Sequence, residues 1–242
     1  MLDVKVFVRL LDQIFAADSV DAVLAIMFES CREIGGDKIS YHPEPMFDGA
    51  SPLRPDVFYA GYPPDWVEIY SNSSDDFVDP IPDLVMRAGK PMTWREAVSL
   101  TRLTKTQQDY LKAAREHGVR AGIGFPLWGP GGQDAYVAIG FPGSEASLPI
   151  DVLRIEHLLL LAGHQKIVEL AAPDVTVPEL STRERDVLQW VAKGKSNTDI
   201  ATIIDISPET VATYMRRIYA KLGCHDRVGA VIKALRSRLI HL

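Results

Sequence analysis

Apolar residues recur at helical spacing at the start of the chain, at Leu2, Val6, Leu10, Leu11, Ile14 and Phe15, and again after Ser19 at Val23, Ile26, Met27 and Cys31. This predicts two amphipathic helices. From Lys38 to about Pro64 the pattern breaks into short apolar runs, Ile39–Tyr41 and Val57–Ala60, separated by Pro, Gly and Asp, which read as strands and loops. The segment PPDWVEIYSN (63–72) has proline at a helix start and Trp66, Ile69 and Tyr70 on one predicted face. A further helix is expected from Thr104 to His117, stopped by Gly118.

Gly122–Trp128 and Ala135–Phe141 flank Gly129-Pro130-Gly131-Gly132 and are predicted to pair as antiparallel neighbours. Val152, Ile155, Leu158, Leu159, Ala162, Ile167 and Leu170 then describe a long helix from Pro149 to about Leu170. Paired prolines at 173 and 178 oppose its continuation. The expected organisation is therefore a first domain over 1–171, a linker over 172–179 and a second domain over 180–242. The first would be helices flanking a sheet of about five strands.

In the second domain, Ser181 and Glu184 form an S-x-x-E capping box ahead of Val187, Leu188, Trp190 and Val191, and Gly194 ends that helix. A short helix follows from Ser196 with Ile200, Ala201, Ile203 and Ile204. After a turn at Asp205-Ile206, Ser207 and Pro208 open a third helix whose apolar stripe is Val211, Met215, Ile218 and Leu222. A fourth is expected from Asp226 to Ile240. A short helix, a tight turn and a longer capped helix form the helix-turn-helix pattern, whose second member enters the major groove. The polar face of that helix carries Thr210, Thr213, Arg216, Arg217 and Lys221, residue types that contact base edges or phosphates. Pattern alone leaves open a small helical bundle with a solvated basic face.

Charge supports the division. The 242 residues hold 26 basic and 32 acidic side chains, of which residues 175–242 hold 11 and 7, leaving 15 and 25 for residues 1–174. An acidic first part joined to a basic second part suggests polyanion binding by the latter. An apolar fraction of 47% excludes intrinsic disorder. Only Cys31 and Cys224 are present, with no C-x-x-C, so neither a disulfide framework nor a cysteine metal site is expected. No apolar run reaches the ~18 residues of a membrane span, and Asp3, Lys5, Arg9 and Asp12 interrupt the N-terminal apolar positions. A bacterial cytoplasmic location, with no membrane partner, is the expectation.

LSTRERDVLQWVAKGKSNTDIATIIDISPETVATYMRRIYAKLG (180–223) resembles the DNA-binding domain of the LuxR-type transcription factors along its whole length, matching at Glu184, Leu188, Gly194, Lys195, Ile200, Ala201, Ser207, Thr210, Val211, Lys221 and Leu222. It departs at Ala212, where the family usually has a basic residue, and at Tyr214 and Arg217, where His and Asn are common. The base sequence preferred by the family therefore does not carry over.

The first domain does not look like a phosphorylated receiver, because it opens with helices. It has no P-loop either, since Gly122-Ile123-Gly124 has no G-K-[ST] sequel. Its distinctive feature is aromatic residues interleaved with an acid: Tyr62, Trp66, Tyr70, Asp79 and Trp94. Such a set suits a small-molecule pocket. It also suits an ordinary core, with Trp66 and Tyr70 one helical turn apart and Asp79 as a helix cap before Pro80.

YPPDWVEIY, VDP, TW and AGIGFPL, which include Tyr62, Trp66, Tyr70, Asp79, Trp94 and Gly122, resemble the ligand-binding domain of quorum-sensing LuxR-type receptors. The resemblance implies an α+β protein: an α/β/α sandwich followed by a four-helix, all-α DNA-binding domain. It implies an N-acyl homoserine lactone ligand and no further cofactor. Trp66 would donate to the lactone carbonyl, Asp79 would accept from the amide N–H, and Tyr62 would donate to the acyl carbonyl, with Tyr70 and Trp94 walling the cavity. Where many members place Ser or Thr on the strand lining the acyl carbonyl, this chain has Gly140. The lost hydroxyl and added space suggest a branched or aromatic acyl group rather than a 3-oxo straight chain.

The implied protein is a homodimeric, ligand-responsive transcriptional regulator of quorum sensing that binds an inverted repeat in double-stranded DNA, with RNA polymerase as a further partner. The long helix 149–171 and the apolar face of the last helix (Val228, Val231, Ile232, Leu235, Leu239) are candidate dimer surfaces, although each could bury within its own domain. The alternative is a regulator of the same architecture that is ligand-independent or senses another small molecule. Catalysis, for example lactone hydrolysis, is not expected, because there is no G-x-S-x-G and the six histidines are scattered.

Overall fold

A computed structural model describes residues 4–43, 57–71, 78–171 and 179–241. The chain divides near residue 173 into two compact units. Leu2 and most of the expected linker lie outside the described residues.

The first unit is built on a five-stranded antiparallel sheet. Its strands are β1 (Lys38–Pro43), β2 (Phe58–Ala60), β3 (Met92–Thr93), β4 (Ala121–Leu127) and β5 (Ala135–Phe141), in the order β2-β1-β5-β4-β3. The predicted hairpin is the central pair β4–β5, with Gly122 opposite Gly140 and Gly124 opposite Ala138. Both strands are buried along their whole length because both faces of the sheet are covered.

Helices α1 (Val4–Ala16), α2 (Val20–Glu33) and α7 (Ile150–Ala171) cover one face. Leu10, Ile14, Leu24, Met27, Leu159 and Leu160 pack there against Ile39, Tyr41, Ile123, Phe125, Val137 and Ile139. The other face is covered by the shorter helices α3 (Pro64–Ser71), α4 (Ile81–Ala88), α5 (Trp94–Ser99) and α6 (Lys105–Glu116), around Trp66, Val85, Ala97, Tyr110, Tyr136 and Ala138. Strand alternation sends Ser40, His42, Gly122, Tyr136 and Ala138 to this second face. The result is the expected α/β/α sandwich.

Three details differ from the sequence expectations. Helices α4 and α5 were not anticipated, although Thr93 and Glu96 form a complete capping box that starts α5. Ile69 is 37% exposed, so the buried face of α3 is centred on Trp66. Of the predicted apolar positions of α7, Val152, Leu159 and Ile167 are buried, together with Leu160 and Val168, while Leu158 is exposed.

The second unit comprises α8 (Thr182–Ala192), α9 (Asn197–Ile204), α10 (Pro208–Leu222) and α11 (Arg227–Arg236). Capping boxes at Ser181/Glu184 and Ser196/Asp199 start the first two, and Ser207 and Asp226 cap the others. Asp205 adopts a left-handed conformation (φ 54°) that ends α9 and turns the chain into α10. Val187, Leu188, Ile200, Val211, Met215 and Ile218 form the core with Ala230 and Ala234 of α11. The last helix ends at Arg236 rather than near Ile240. It turns Ala230 and Ala234 inward, while Val228 is 67% exposed.

Candidate functional site

Between the second face of the sheet and α3–α6 lies a cavity of about 390 Å³, near the lower end of the range for ligand cavities (~300–1,000 Å³). Tyr62, Trp66, Tyr70, Asp79 and Trp94 all line it. The structure thus brings together five of the six predicted ligand-binding residues.

Asp79 is the electrostatic centre. Its Oδ1 accepts from the Ile81 backbone N–H at 2.9 Å at the start of α4, and its Oδ2 accepts from Tyr110 Oη at 2.9 Å and Tyr70 Oη at 3.4 Å. Burial pushes its carboxyl up to about 6, against the lowering effect of these three donors. Around it, Trp66 packs on Tyr110 and Tyr70 with ring centroids 5.7 and 6.3 Å apart. Tyr59 stands edge-on to both Tyr62 and Tyr70, 5.9 Å from each. Burial raises the tyrosine hydroxyls, Tyr59 to about 12 and Tyr62, Tyr70, Tyr110 and Tyr136 upward as well. All five therefore stay protonated and able to donate.

Trp94 caps the cavity from the first turn of α5. Its Nε1 is buried beside the Tyr136 hydroxyl. It fits there because β4 carries Gly122 beneath the indole: a Cβ at that position would lie 2.3 Å from Trp94 Cζ2. The resemblance had flagged Gly122, and its spatial reason is this close approach.

Gly140 is a correction. It is not among the cavity-lining residues, and a Cβ there would meet the aliphatic stem of Lys38 at 3.1 Å. The β5 residues that line the cavity are Tyr136 and Ala138, and the register partner of Ala138 on β1 is Ser40. A hydroxyl is therefore present after all, supplied by the neighbouring strand, with Ser40 Oγ 3.4 Å from Tyr62 Oη. The space attributed to Gly140 is not part of the cavity.

Tyr110, Ser40, His42, Tyr59 and Tyr136 also line the site and were not singled out from the sequence. Tyr110 sits among the apolar positions of α6, where an aromatic residue reads as core. The two β1 residues carry a weak signal, because polar residues alternate there with Ile39 and Tyr41.

On α10, Arg216 and Arg217 are exposed. Arg216 Nη2 donates to Thr213 Oγ1 at 3.1 Å, and the Arg217 guanidinium lies over the Tyr214 ring at 5.9 Å. Thr213 donates to the Glu209 carbonyl at 2.9 Å, and the Thr210 hydroxyl pairs with the Ser207 cap at 3.0 Å. Lys221 also makes contacts within the unit. Its Nζ donates to Glu184 Oε2 at 2.7 Å and to the Glu179 carbonyl at 3.0 Å. These bonds fasten α10 to the start of α8.

Among the described residues no helix is long and apolar enough to cross a membrane, and no group of three or more His, Cys, Asp and Glu side chains is placed to hold a metal ion.

Comparison with known proteins agrees with this division. Residues 19–166 match the autoinducer binding domain, and residues 178–234 match the bacterial regulatory proteins of the luxR family. The chain is 31% identical over 186 residues to the putative HTH-type transcriptional regulator y4qH of Sinorhizobium fredii, covering 75% of this chain and 56% of that protein. It is 28% identical over 181 residues to the transcriptional activator protein BjaR1 of Bradyrhizobium diazoefficiens, covering 74% of each. The fold is that of Escherichia coli SdiA, whose crystal structure superposes with a TM-score of 0.69 at 22% identity over 98% of both chains.

Proposed function

The chain belongs to the LuxR-type regulators that carry an autoinducer-binding domain, and from that premise we propose that it binds an N-acyl homoserine lactone in the cavity of its first unit and an inverted-repeat DNA operator, as a homodimer, through its second. The observation that carries the ligand assignment is the arrangement about Asp79. A buried carboxylate, fixed by one backbone and two phenolic donors, faces a small aromatic cavity beside the indoles of Trp66 and Trp94. A lactone joined to an acyl chain through an amide offers one N–H and two carbonyls, which such a site complements. In this complex Asp79 accepts from the amide N–H, Trp66 donates to the lactone carbonyl and Tyr62 donates to the acyl carbonyl, with Tyr70 and Trp94 as walls.

The small volume and the ring-lined acyl region favour a compact acyl group, branched or aromatic, over a long 3-oxo chain. With Gly140 outside the cavity, this preference rests on the rings and the volume.

Ligand binding acts by linkage. A ligand that binds only the folded first unit stabilises it by RT ln(1+[L]/Kd), about 2.7 kcal/mol at a hundredfold excess over Kd, which raises the amount of dimerisation-competent regulator. A two-fold dimer then places α10 of each copy in successive major grooves, one helical turn apart. The lactone is bound and not consumed.

The test is a thermal melt of protein expressed without ligand, against homoserine lactones with straight, branched and aromatic acyl groups. A selective rise in melting temperature with a compact acyl group is the expected result. A folded protein indifferent to every lactone would move the input to the ligand-independent or other-ligand alternative and leave the DNA-binding assignment in place.

A further inference from the structure

One wall of the cavity carries a hydrogen-bonded chain that this reading leaves unused. Ser40 and His42 lie two residues apart on β1 and so project to the same face, where both line the cavity. Ser40 Oγ is 3.4 Å from Tyr62 Oη on one side and 2.8 Å from His42 Nε2 on the other. The imidazole is set among Tyr136, Tyr70 and Tyr59, each edge-on, with ring centroids 5.4, 5.8 and 6.2 Å away. Burial pushes His42 down to about 3, so the ring is neutral and has one donor nitrogen and one acceptor nitrogen. Among the described residues its Nδ1 has no hydrogen-bond partner, and the ring lines the cavity. A polar ring held neutral in an otherwise aromatic pocket is costly unless something pairs with it.

The polarity of the chain follows from Tyr62. When Tyr62 Oη gives its proton to the acyl carbonyl, its lone pair accepts from Ser40 Oγ–H, and Ser40 Oγ accepts from His42 Nε2–H. Nδ1 is then left as a bare lone pair facing the cavity. We propose that His42 is a specificity-determining residue whose Nδ1 accepts a hydrogen bond from a hydroxyl carried by the acyl group, so that the ligand class is a compact hydroxylated N-acyl homoserine lactone. This rests on the lactone reading of the cavity and on the role given there to Tyr62.

The experiment measures binding to the full chain of N-hexanoyl-homoserine lactone, its 3-, 5- and 6-hydroxy derivatives and the methyl ether of the tightest binder. In the wild type, one hydroxylated derivative should bind about tenfold more tightly than the hexanoyl parent, the worth of a typical buried hydrogen bond. Its methyl ether, which cannot donate, should fall back to the parent's affinity or below. His42→Leu should bring the ratio of hydroxylated to parent affinity to about one whatever the change in the parent's own affinity, and His42→Gln, which retains an acceptor, should restore most of the preference. An unchanged ratio in His42→Leu, an ether as tight as the hydroxyl compound, or no hydroxyl preference in a wild type that does bind lactones would each overturn the inference alone. If His42→Leu does not fold, the ether comparison and His42→Gln decide. A well-folded wild type that binds no lactone overturns the lactone reading and this inference with it.

Discussion

Tyr110 and Asp79, 31 residues apart in the chain, meet in the cavity, where the phenol donates to the carboxylate at 2.9 Å. That bond favours the ionised form of Asp79 and opposes the effect of burial. Removing it in Tyr110→Phe should raise the Asp79 pKa above its value near 6. In a binding titration, the pH below which lactone affinity declines should then move upward, with the affinity at pH 7.5 reduced about three- to tenfold. A variant with an unshifted pH profile would separate Tyr110 from the site.

Asp79 itself carries a pH signature. Its folded carboxyl titrates near 6 and an unfolded one near 3.9, so between those values the folded, ligand-free protein binds more protons than the unfolded chain. This group therefore lowers stability as pH rises through that window, and the loss persists above it. Asp79→Asn removes the effect. Its melting temperature relative to wild type should improve from pH 4.5 to pH 7.5, while the lactone-induced rise disappears.

Glu156 makes an independent case on the opposite side of the sheet. It is fully buried, paired through Oε1 with Ser30 Oγ at 2.9 Å, with Oε2 unpartnered among the described residues, and burial pushes it up to about 7. Its ionised form is destabilising in full above pH 7, and the penalty is relieved as pH falls toward its unfolded value near 4.3. Glu156→Gln should raise the melting temperature more at pH 8 than at pH 5. An equal shift at both would show that the carboxyl stays neutral throughout.

Gly122→Ala tests the packing beneath Trp94. The new methyl would sit 2.3 Å from Trp94 Cζ2 and 2.7 Å from the Ile139 carbonyl oxygen, and the second contact is backbone and cannot rotate away. Destabilisation of about 1–3 kcal/mol is expected, with displacement of the indole and loss of lactone binding. A variant with wild-type melting and affinity would contradict the packing described.

In the second unit, two cations on α10 should separate cleanly. Arg216→Ala should weaken operator binding by about 1–3 kcal/mol if the side chain reads a base. Lys221→Met should instead lower the stability of the unit by about 1–2 kcal/mol, because Glu184, whose side chain is 4% exposed, loses its charged donor. It should leave the salt dependence of DNA binding unchanged. A reduced salt slope would keep Lys221 in the phosphate-contacting set.

Local patterns settled much of this protein in advance. The capping box at Ser181 and Glu184, the Ser207-Pro208 start of α10 and its Val211, Met215, Ile218 and Leu222 stripe depend on neighbours three to seven residues away, and such spacing is written directly in the chain. The same holds for the β4–β5 hairpin. The grouping of Tyr62, Trp66, Tyr70, Asp79 and Trp94 was legible because those residues are close in sequence as well as in space. Other features depended on the strand order β2-β1-β5-β4-β3 and on which helices cover each face. That order sets Ser40 opposite Ala138, takes Gly140 out of the cavity, brings Tyr110 to Asp79 and gives Trp94 its room above Gly122. Lys221 is engaged by Glu184, 37 residues earlier, through the packing of α10 on α8. Periodicity identifies the face of an element that is buried, but not the partner buried against it, and in this protein the partners define the cavity.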